Sequence, residues 1–199
     1  MQLTTTEIQA WLADFAEIIT ENKDYLSELD TPIGDGDHGN NMNRGMTEYL
    51  HAFETKQPTT ISDTFKLLSM SLISKVGGAS GPLYGSAFMN LTKATKDITE
   101  ITSTTQLAQL MKTGLVGIQA RGKAVVGDKT MVDVWSAIVE DLENNTFSKE
   151  SIAIAKDHTK NMQAKKGRAS YLGERSIGHI DPGAASSALL FQTLLPYLD

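Results

Sequence analysis

The sequence predicts an all-α fold on two observations. Apolar side chains recur at three- and four-residue spacing in eight separate segments, and no segment alternates long enough to make a convincing strand. The connections are short, which favours antiparallel neighbours within one domain over residues 1–199.

Each segment carries its own start or stop signal. Thr4 with Glu7 forms a capping box, after which Ile8, Trp11, Leu12, Phe15, Ile18 and Ile19 line a first helix ending near Asn22 to Tyr25. A second runs from about Asn40 to Phe53 on Met42, Met46, Tyr49 and Leu50, and Pro58 breaks the chain after it. Thr60 or Ser62 caps a third with Ile61, Phe65, Leu68, Leu72 and Val76, which stops at Gly77 and Gly78. Ser80 and Pro82 start a fourth through Tyr84, Phe88 and Leu91. Ser103 with Gln106 opens a fifth on Leu107, Leu110, Leu115 and Ile118. Gly122 and Gly127 bound a short loop, and Thr130 with Asp133 opens a sixth on Val134, Trp135, Ile138 and Leu142. Ser148 starts a seventh through Ile152, Ala155, His158 and Met162, and the brief alternation over 151–155 is read with it. Asp181 as cap and Pro182 in the first turn begin the eighth, through Leu189, Leu190, Leu194 and Leu195. Between the last two, 166–180 lacks periodicity and holds Gly167, Gly173 and Gly178.

Composition narrows the function classes. A formal net charge of -6 argues against unspecific binding to nucleic acid or to an anionic membrane surface. With no cysteine there are no disulfides, iron–sulfur clusters or thiol nucleophiles, and the four histidines form no HExxH pair. The N-terminal stretch lacks a basic and then apolar signal, and no apolar run has the length of a membrane span. The expected compartment is the cytoplasm.

The densest chemistry lies between Asp30 and Asn41. Asp30, Asp35 and Asp37 fall within eight residues, separated by Pro32, Gly34 and Gly36, so they sit on a loop. Carboxylates at that spacing repel one another unless a cation lies between them, and hard oxygen ligands suit Mg²⁺ or Ca²⁺; a solvated acidic turn has the same composition. Gly34, Gly36 and Gly39 match GxGxxG literally, but no strand precedes them and the aspartates would face the pyrophosphate. Counted from Asp35 as an EF-hand, the glycine position holds Asn40 and the bidentate glutamate position holds Met46. Phosphate held through a metal fits better: the amides after Gly39 open a helix N-terminus, Asn40 and Asn41 add neutral partners, and His38 either touches phosphate or fills space.

Three further stretches enter helices through glycine. The turn over Gly78, Ala79 and Ser80 can present amides to an anion, or be an ordinary corner. The stretch holding Lys165, Lys166, Arg168 and Arg175 is basic in an acidic chain and reads as a hinged cover over a polyphosphate, or as a surface loop. At the 127–131 corner, Met131 can lie against a flat base or belong to the core. No nucleophile stands out.

Together GDGDHGNN, GGASGP, GDKTM and GRASYLGERSIGHIDPGAASS, in that order over nearly the whole chain, resemble the nucleotide-binding L subunits of dihydroxyacetone kinase. The resemblance implies a closed barrel of eight antiparallel amphipathic helices with a nucleotide at one end. It implies that Asp30, Asp35 and Asp37 coordinate two Mg²⁺ ions on the phosphates of ADP or ATP. It also implies nucleotide contacts from His38, Gly39, Asn40 and Asn41, from Gly78, Ala79 and Ser80, and from Gly122, Thr130, Met131, Arg168, Asp181, Pro182 and Gly183. In one arrangement of the family this domain is fused behind a substrate domain and uses exchanging ATP. In the other, a separate chain keeps ADP tightly bound; a phosphohistidine-carrying phosphotransferase-system subunit phosphorylates it, and a second subunit holds dihydroxyacetone. A chain of 199 residues resembles the second. Rival readings are a regulatory nucleotide-binding module without turnover, in contact with a transcriptional regulator, and the nucleotide domain of another kinase of the superfamily.

Overall fold

Capping chemistry sets most of the helix starts. In the computed structural model, which describes residues 1–198, the Thr4 side chain and Glu7 cap α1 (Thr5–Glu21) reciprocally. Thr60 caps α4 (Ile61–Lys75), Ser103 caps α6 (Thr104–Gly122) and Ser148 caps α8 (Lys149–His158). Thr130 and Asp133 form a full capping box on α7 (Met131–Asn144). Asp181 caps α9 (Pro182–Leu194) and Pro182 fills its first position. The remaining helices are α2 (Lys23–Asp30), α3 (His38–Lys56) and α5 (Ser80–Ala94). Three short 3₁₀ segments cover Thr159–Asn161, Arg168–Ser176 and Leu195–Tyr197.

The described residues therefore hold nine α-helices rather than the eight predicted. The additional one is α2, which is separated from α1 by Asn22 alone and buries only Leu26 and Asp30. Its sequence, KDYLSELD, has too few apolar residues to signal itself. Two two-residue strands, β1 (Leu3–Thr4) and β2 (Glu100–Ile101), pair antiparallel with Leu3 opposite Ile101, where no strand was expected. The seventh helix stops at His158, and Met162 lies beyond it.

Helix contacts run in sequence order from α3 through α8, and α9 packs on α7, α8 and α1 while α1 packs on α3. Helix α2 lies against α3 and α9. The buried apolar residues form one large cluster, with Trp11 edge-on to Phe65 at 6.4 Å and Trp135 edge-on to Phe191 at 5.0 Å. The Trp11 indole N–H donates to the Leu190 carbonyl at 2.9 Å, joining the first and last helices. No described helix is long and apolar enough to cross a membrane.

A candidate metal and nucleotide site

Helix α2 delivers Asp30 to the start of the aspartate loop, and α3 begins where that loop ends. The backbone N–H groups of Asp37 and His38 both donate to Asp30 Oδ2, at 3.0 and 3.2 Å. The Ile33 and Gly34 amides return to the Asp30 carbonyl at 3.1 and 2.6 Å. The chain passes so close that a Cβ at Gly34 would stand 1.9 Å from Asp30 Oδ1. Asp30 is only 8 % exposed, while Asp35 and Asp37 face solvent. Burial raises the Asp30 carboxyl above its ordinary range, opposed by the two amide bonds and reinforced by the charges of Asp35 and Asp37.

One oxygen from each of Asp30, Asp35 and Asp37 lies within 4.8 Å of the others. Three carboxylates at that spacing, one of them desolvated, form a hard-oxygen donor set that a divalent cation would neutralise. The donor set fits magnesium. Among the described residues the one basic side chain paired with these aspartates is Arg168, which meets Asp35 at 2.9 Å and offsets a single charge.

These aspartates border a cavity of about 530 Å³. Of the other residues named from the sequence, the structure brings His38, Asn41, Gly78, Ala79, Ser80, Gly122, Thr130, Met131, Arg168, Asp181, Pro182 and Gly183 to its walls. Gly39 and Asn40 do not line it. A Cβ at Gly39 would meet the Lys23 carbonyl oxygen at 1.8 Å, so this glycine lets α3 cross α2 closely. Asn40 is exposed, on the outer side of the first turn of α3.

His38 is buried and bonded on both ring nitrogens, with Ser186 Oγ at 2.9 Å and Ser80 Oγ at 3.1 Å. Beyond Ser186 the chain continues to the Tyr84 hydroxyl, Ser187 and the Trp135 indole N–H, at 2.8, 2.9 and 3.1 Å. Burial lowers the His38 pKa to about 4, against the pull of Asp37, so the ring is neutral near pH 7. It ties the entrances of α3, α5 and α9 together. Asp181 is pushed up to about 7 by burial, although the Ala184 N–H and the nearby Lys129 charge favour its ionised form. A Cβ at Gly183 would stand 3.1 Å from Asp181 Oδ2 and 3.6 Å from Met131 Cβ, so the 130–131 and 181–183 corners abut.

The basic stretch folds back over the cavity. Lys166, Gly167, Arg168 and Ala169 line it, whereas Lys165 and Arg175 do not. In place of an irregular loop, Arg168–Ser176 forms 3₁₀ turns kinked at Gly173. Ile33 of the aspartate loop packs with Ala164 and Ala169, and Leu172 leans on the same small cluster.

Sequence reasoning missed the apolar wall, where Pro82, Leu83, Ile118, Ala124 and Val132 join Met131. Ile118 was marked only by helical periodicity, Pro82 only as a helix start and Ala124 only as part of a loop, and none of these signals separates a side chain facing a cavity from one facing the core. It also missed Arg121 as a lining residue, and Lys129, which is 1 % exposed.

Residues 32–196 match the DAK2 domain family. The chain is 54% identical over 193 residues to the ADP-binding subunit DhaL of a PTS-dependent dihydroxyacetone kinase from Lactococcus lactis subsp. lactis (strain IL1403), covering 97% of each. It is 42% identical over 205 residues to the ADP-binding subunit DhaL of the PEP-dependent dihydroxyacetone kinase of Escherichia coli (strain K12), covering 98% of this chain and 97% of that one. Its fold is similar, at a TM-score of 0.74 and 20% identity, to the dihydroxyacetone kinase of C. freundii solved with AMP-PNP and Mg2+; 99% of this chain covers 35% of that one. The chain belongs to the DAK2 domain family.

Proposed function

We propose that this chain is the ADP-binding subunit of a phosphotransferase-system-dependent dihydroxyacetone kinase. The observation that carries the reading is the meeting of the Asp30, Asp35 and Asp37 oxygens with Arg168 and four helix entrances around one cavity. In this reading eight of the helices form a closed barrel, α2 lying outside it, and residues 1–199 act as one nucleotide-binding domain in the cytoplasm.

The three aspartates would hold magnesium, two ions in all, which screens phosphate charge and polarises the phosphoryl oxygens. The site's residues would hold ADP between a phosphohistidine of one partner subunit, which would supply the phosphoryl group, and dihydroxyacetone held on another, which would receive it. The chain's own residues supply position and electrostatics, which is most of what phosphoryl transfer asks of a protein. Asp30 is fixed by the Asp37 and His38 amides. The α3 and α5 entrances, at His38–Asn41 and Gly78–Ser80, offer amides to phosphate. Arg168 adds a planar cation from the cover. Met131, Leu83 and Ile118 give a flat apolar wall suited to a base, closed by Gly122, Thr130 and Asp181–Gly183. The cover restricts water access and nucleotide loss between transfers.

Purified without added nucleotide, the protein is expected to carry ADP and magnesium in stoichiometric amounts, and to form ATP in place when mixed with the phosphohistidine donor. Asp35→Asn is expected to abolish retention with helicity unchanged. Failure of the unmodified protein to retain or bind ADP with Mg²⁺ would overturn the reading.

A further inference from the structure

Lys129 does not line the cavity and bears on it only through its charge near Asp181, yet it is the most deeply buried basic residue of the described residues, at 1 % exposure. It sits in the turn between α6 and α7 with a left-handed backbone, φ 61°. A side chain other than glycine or asparagine is disfavoured there, so the conformation must be held by its surroundings. That bracing is visible: Asp133 Oδ1 accepts from the Gly127 N–H at 2.6 Å, and Asp128 Oδ2 accepts from the Val125 N–H at 2.9 Å. The Lys129 Nζ then donates to two main-chain carbonyls, that of Thr159 at 2.7 Å and that of His179.

Those two carbonyls flank the cover. Thr159 stands just before the segment 160–178 and His179 just after it, so a single ammonium grips both ends. Two further bonds close the same neck: the Gly178 N–H donates to the Lys160 carbonyl at 2.7 Å, and the Asp181 N–H donates to Thr159 Oγ1 at 3.1 Å. Past the neck the Lys165 N–H donates to the Asp128 carbonyl at 3.1 Å, and the cover meets the aspartate loop through Arg168 on Asp35 and through Ala164 and Ala169 on Ile33. A tether at the base therefore sets where Arg168 arrives.

We infer that Lys129 is a positioning residue, whose buried ammonium staples both ends of the 160–178 segment to the α6–α7 turn and so holds Arg168 over the nucleotide phosphates. The inference rests on the proposed nucleotide site. A hydrogen bond to a charged donor is stronger than a neutral one, and losing two such bonds at the base of a short segment shifts its equilibrium toward release.

The test combines a fluorescent ADP analogue with amide hydrogen exchange on the full chain. In Lys129→Met, the analogue is expected to leave at least tenfold faster, with exchange accelerated over 160–178 and unchanged in α1, α4 and α5. Lys129→Gly, which also relieves the left-handed backbone, is expected to leak equally. Because the chain has no cysteine, Lys129→Cys can be aminoethylated in denaturant and refolded, restoring an ammonium at nearly the lysine position. Slow release and cover protection should both return. Wild-type release and protection in Lys129→Met would overturn the inference, as would failure of the aminoethylated protein to recover. Loss of protection across all helices together in both Met and Gly variants would also overturn it, because Lys129 would then be a core residue. If the unmodified protein binds no ADP, the nucleotide reading fails, while the exchange data still decide whether the staple exists.

Discussion

Gly34→Ala places one methyl group against the metal ligand set. An added Cβ would lie 1.9 Å from Asp30 Oδ1 and 2.8 Å from its Cγ, with the Asp30 carbonyl oxygen at 3.1 Å. Contact between such atoms begins at about 3.5 Å, so the carboxylate must move by roughly 1.5 Å or the loop must open. Neither escape is free of consequence. Oδ2 is held by the Asp37 and His38 amides at 3.0 and 3.2 Å, and a shift of that size breaks both bonds. It also carries Oδ1 away from the three-oxygen cluster. Overpacking of this kind costs about 1–3 kcal/mol of stability. Displacing one carboxylate from a divalent site should weaken binding by roughly 10- to 100-fold. Calorimetric titration with Mg²⁺ and ADP, beside urea unfolding, reads both quantities. Gly36→Ala is the control: its φ is +74° and its Cβ would press on Thr31 Oγ1, so it strains the same loop while sparing the Asp30 carboxylate. Wild-type affinity in Gly34→Ala, or an equal loss in Gly36→Ala, would refute the argument that Gly34 exists to seat Asp30.

Two further outcomes follow from the electrostatics. His38, about 4 when folded against 6.5 unfolded, binds its proton mainly in the unfolded state, so its stabilisation is lost as pH falls from 6.5 toward 4. Asp181, about 7 against 3.8, holds its proton in the folded state and loses stability as pH rises through that window. The two slopes oppose. The nucleotide-free wild type should therefore be nearly flat from these groups between pH 5 and 6, while His38→Asn loses, and Asp181→Asn gains, about 1 kcal/mol per pH unit on raising pH. Urea unfolding at several pH values checks the signs, and parallel curves would contradict the assignment. Arg168→Ala should alter unfolding free energy by less than about 1 kcal/mol, since the Arg168 and Asp35 side chains are 68% and 38% exposed, yet speed ADP release several-fold. A stability loss as large as that of a core substitution would show that the pair supports the fold instead.

Much of the fold was legible because its signals are local. Thr4 with Glu7, Thr130 with Asp133, and Asp181 before Pro182 act within one turn of backbone, so the residues that write the signal also satisfy it. Helix α2 was illegible for the opposite reason. Its sequence is polar, and packing against α3 and α9 holds it. The pairing of Leu3 with Ile101 is too short to show a period. Of the residues that converge on the cavity, Asp30, Asp35, Asp37 and Arg168 were readable from type and spacing, whereas Asp181 was marked only as a helix cap and its place in the site came with the family resemblance. Residues defined by what they face were not readable. Leu83 and Ile118 look like core in the sequence, and Lys129 looks like surface, because lysines are seldom buried. Met131 belongs to the core cluster at 3 % exposure and also borders the cavity.

The two kinds of residue divide the site into parts of unequal stability. One part is built on helix entrances knitted into the main core by His38, Ser186 and Tyr84, and it opens only when the fold does. The other part is the 160–178 segment. Its packing against the aspartate loop comprises Ile33, Ala164 and Ala169 with Leu172 alongside, which at about 0.5–2 kcal/mol each stabilises the closed position by a few kcal/mol. That is small beside the stabilisation of a whole domain, so the segment can lift while the helices stay folded. A carrier that keeps its nucleotide through many transfers requires this lift to be rare without being forbidden. On the proposed reading, a charged staple at the neck would raise the opening free energy further without adding any contact to the nucleotide. On that reading the aspartates hold the metal on which both retention and transfer depend, whereas Lys129 would act on retention alone. Substitution at Lys129 should therefore change nucleotide release without touching the metal ligands.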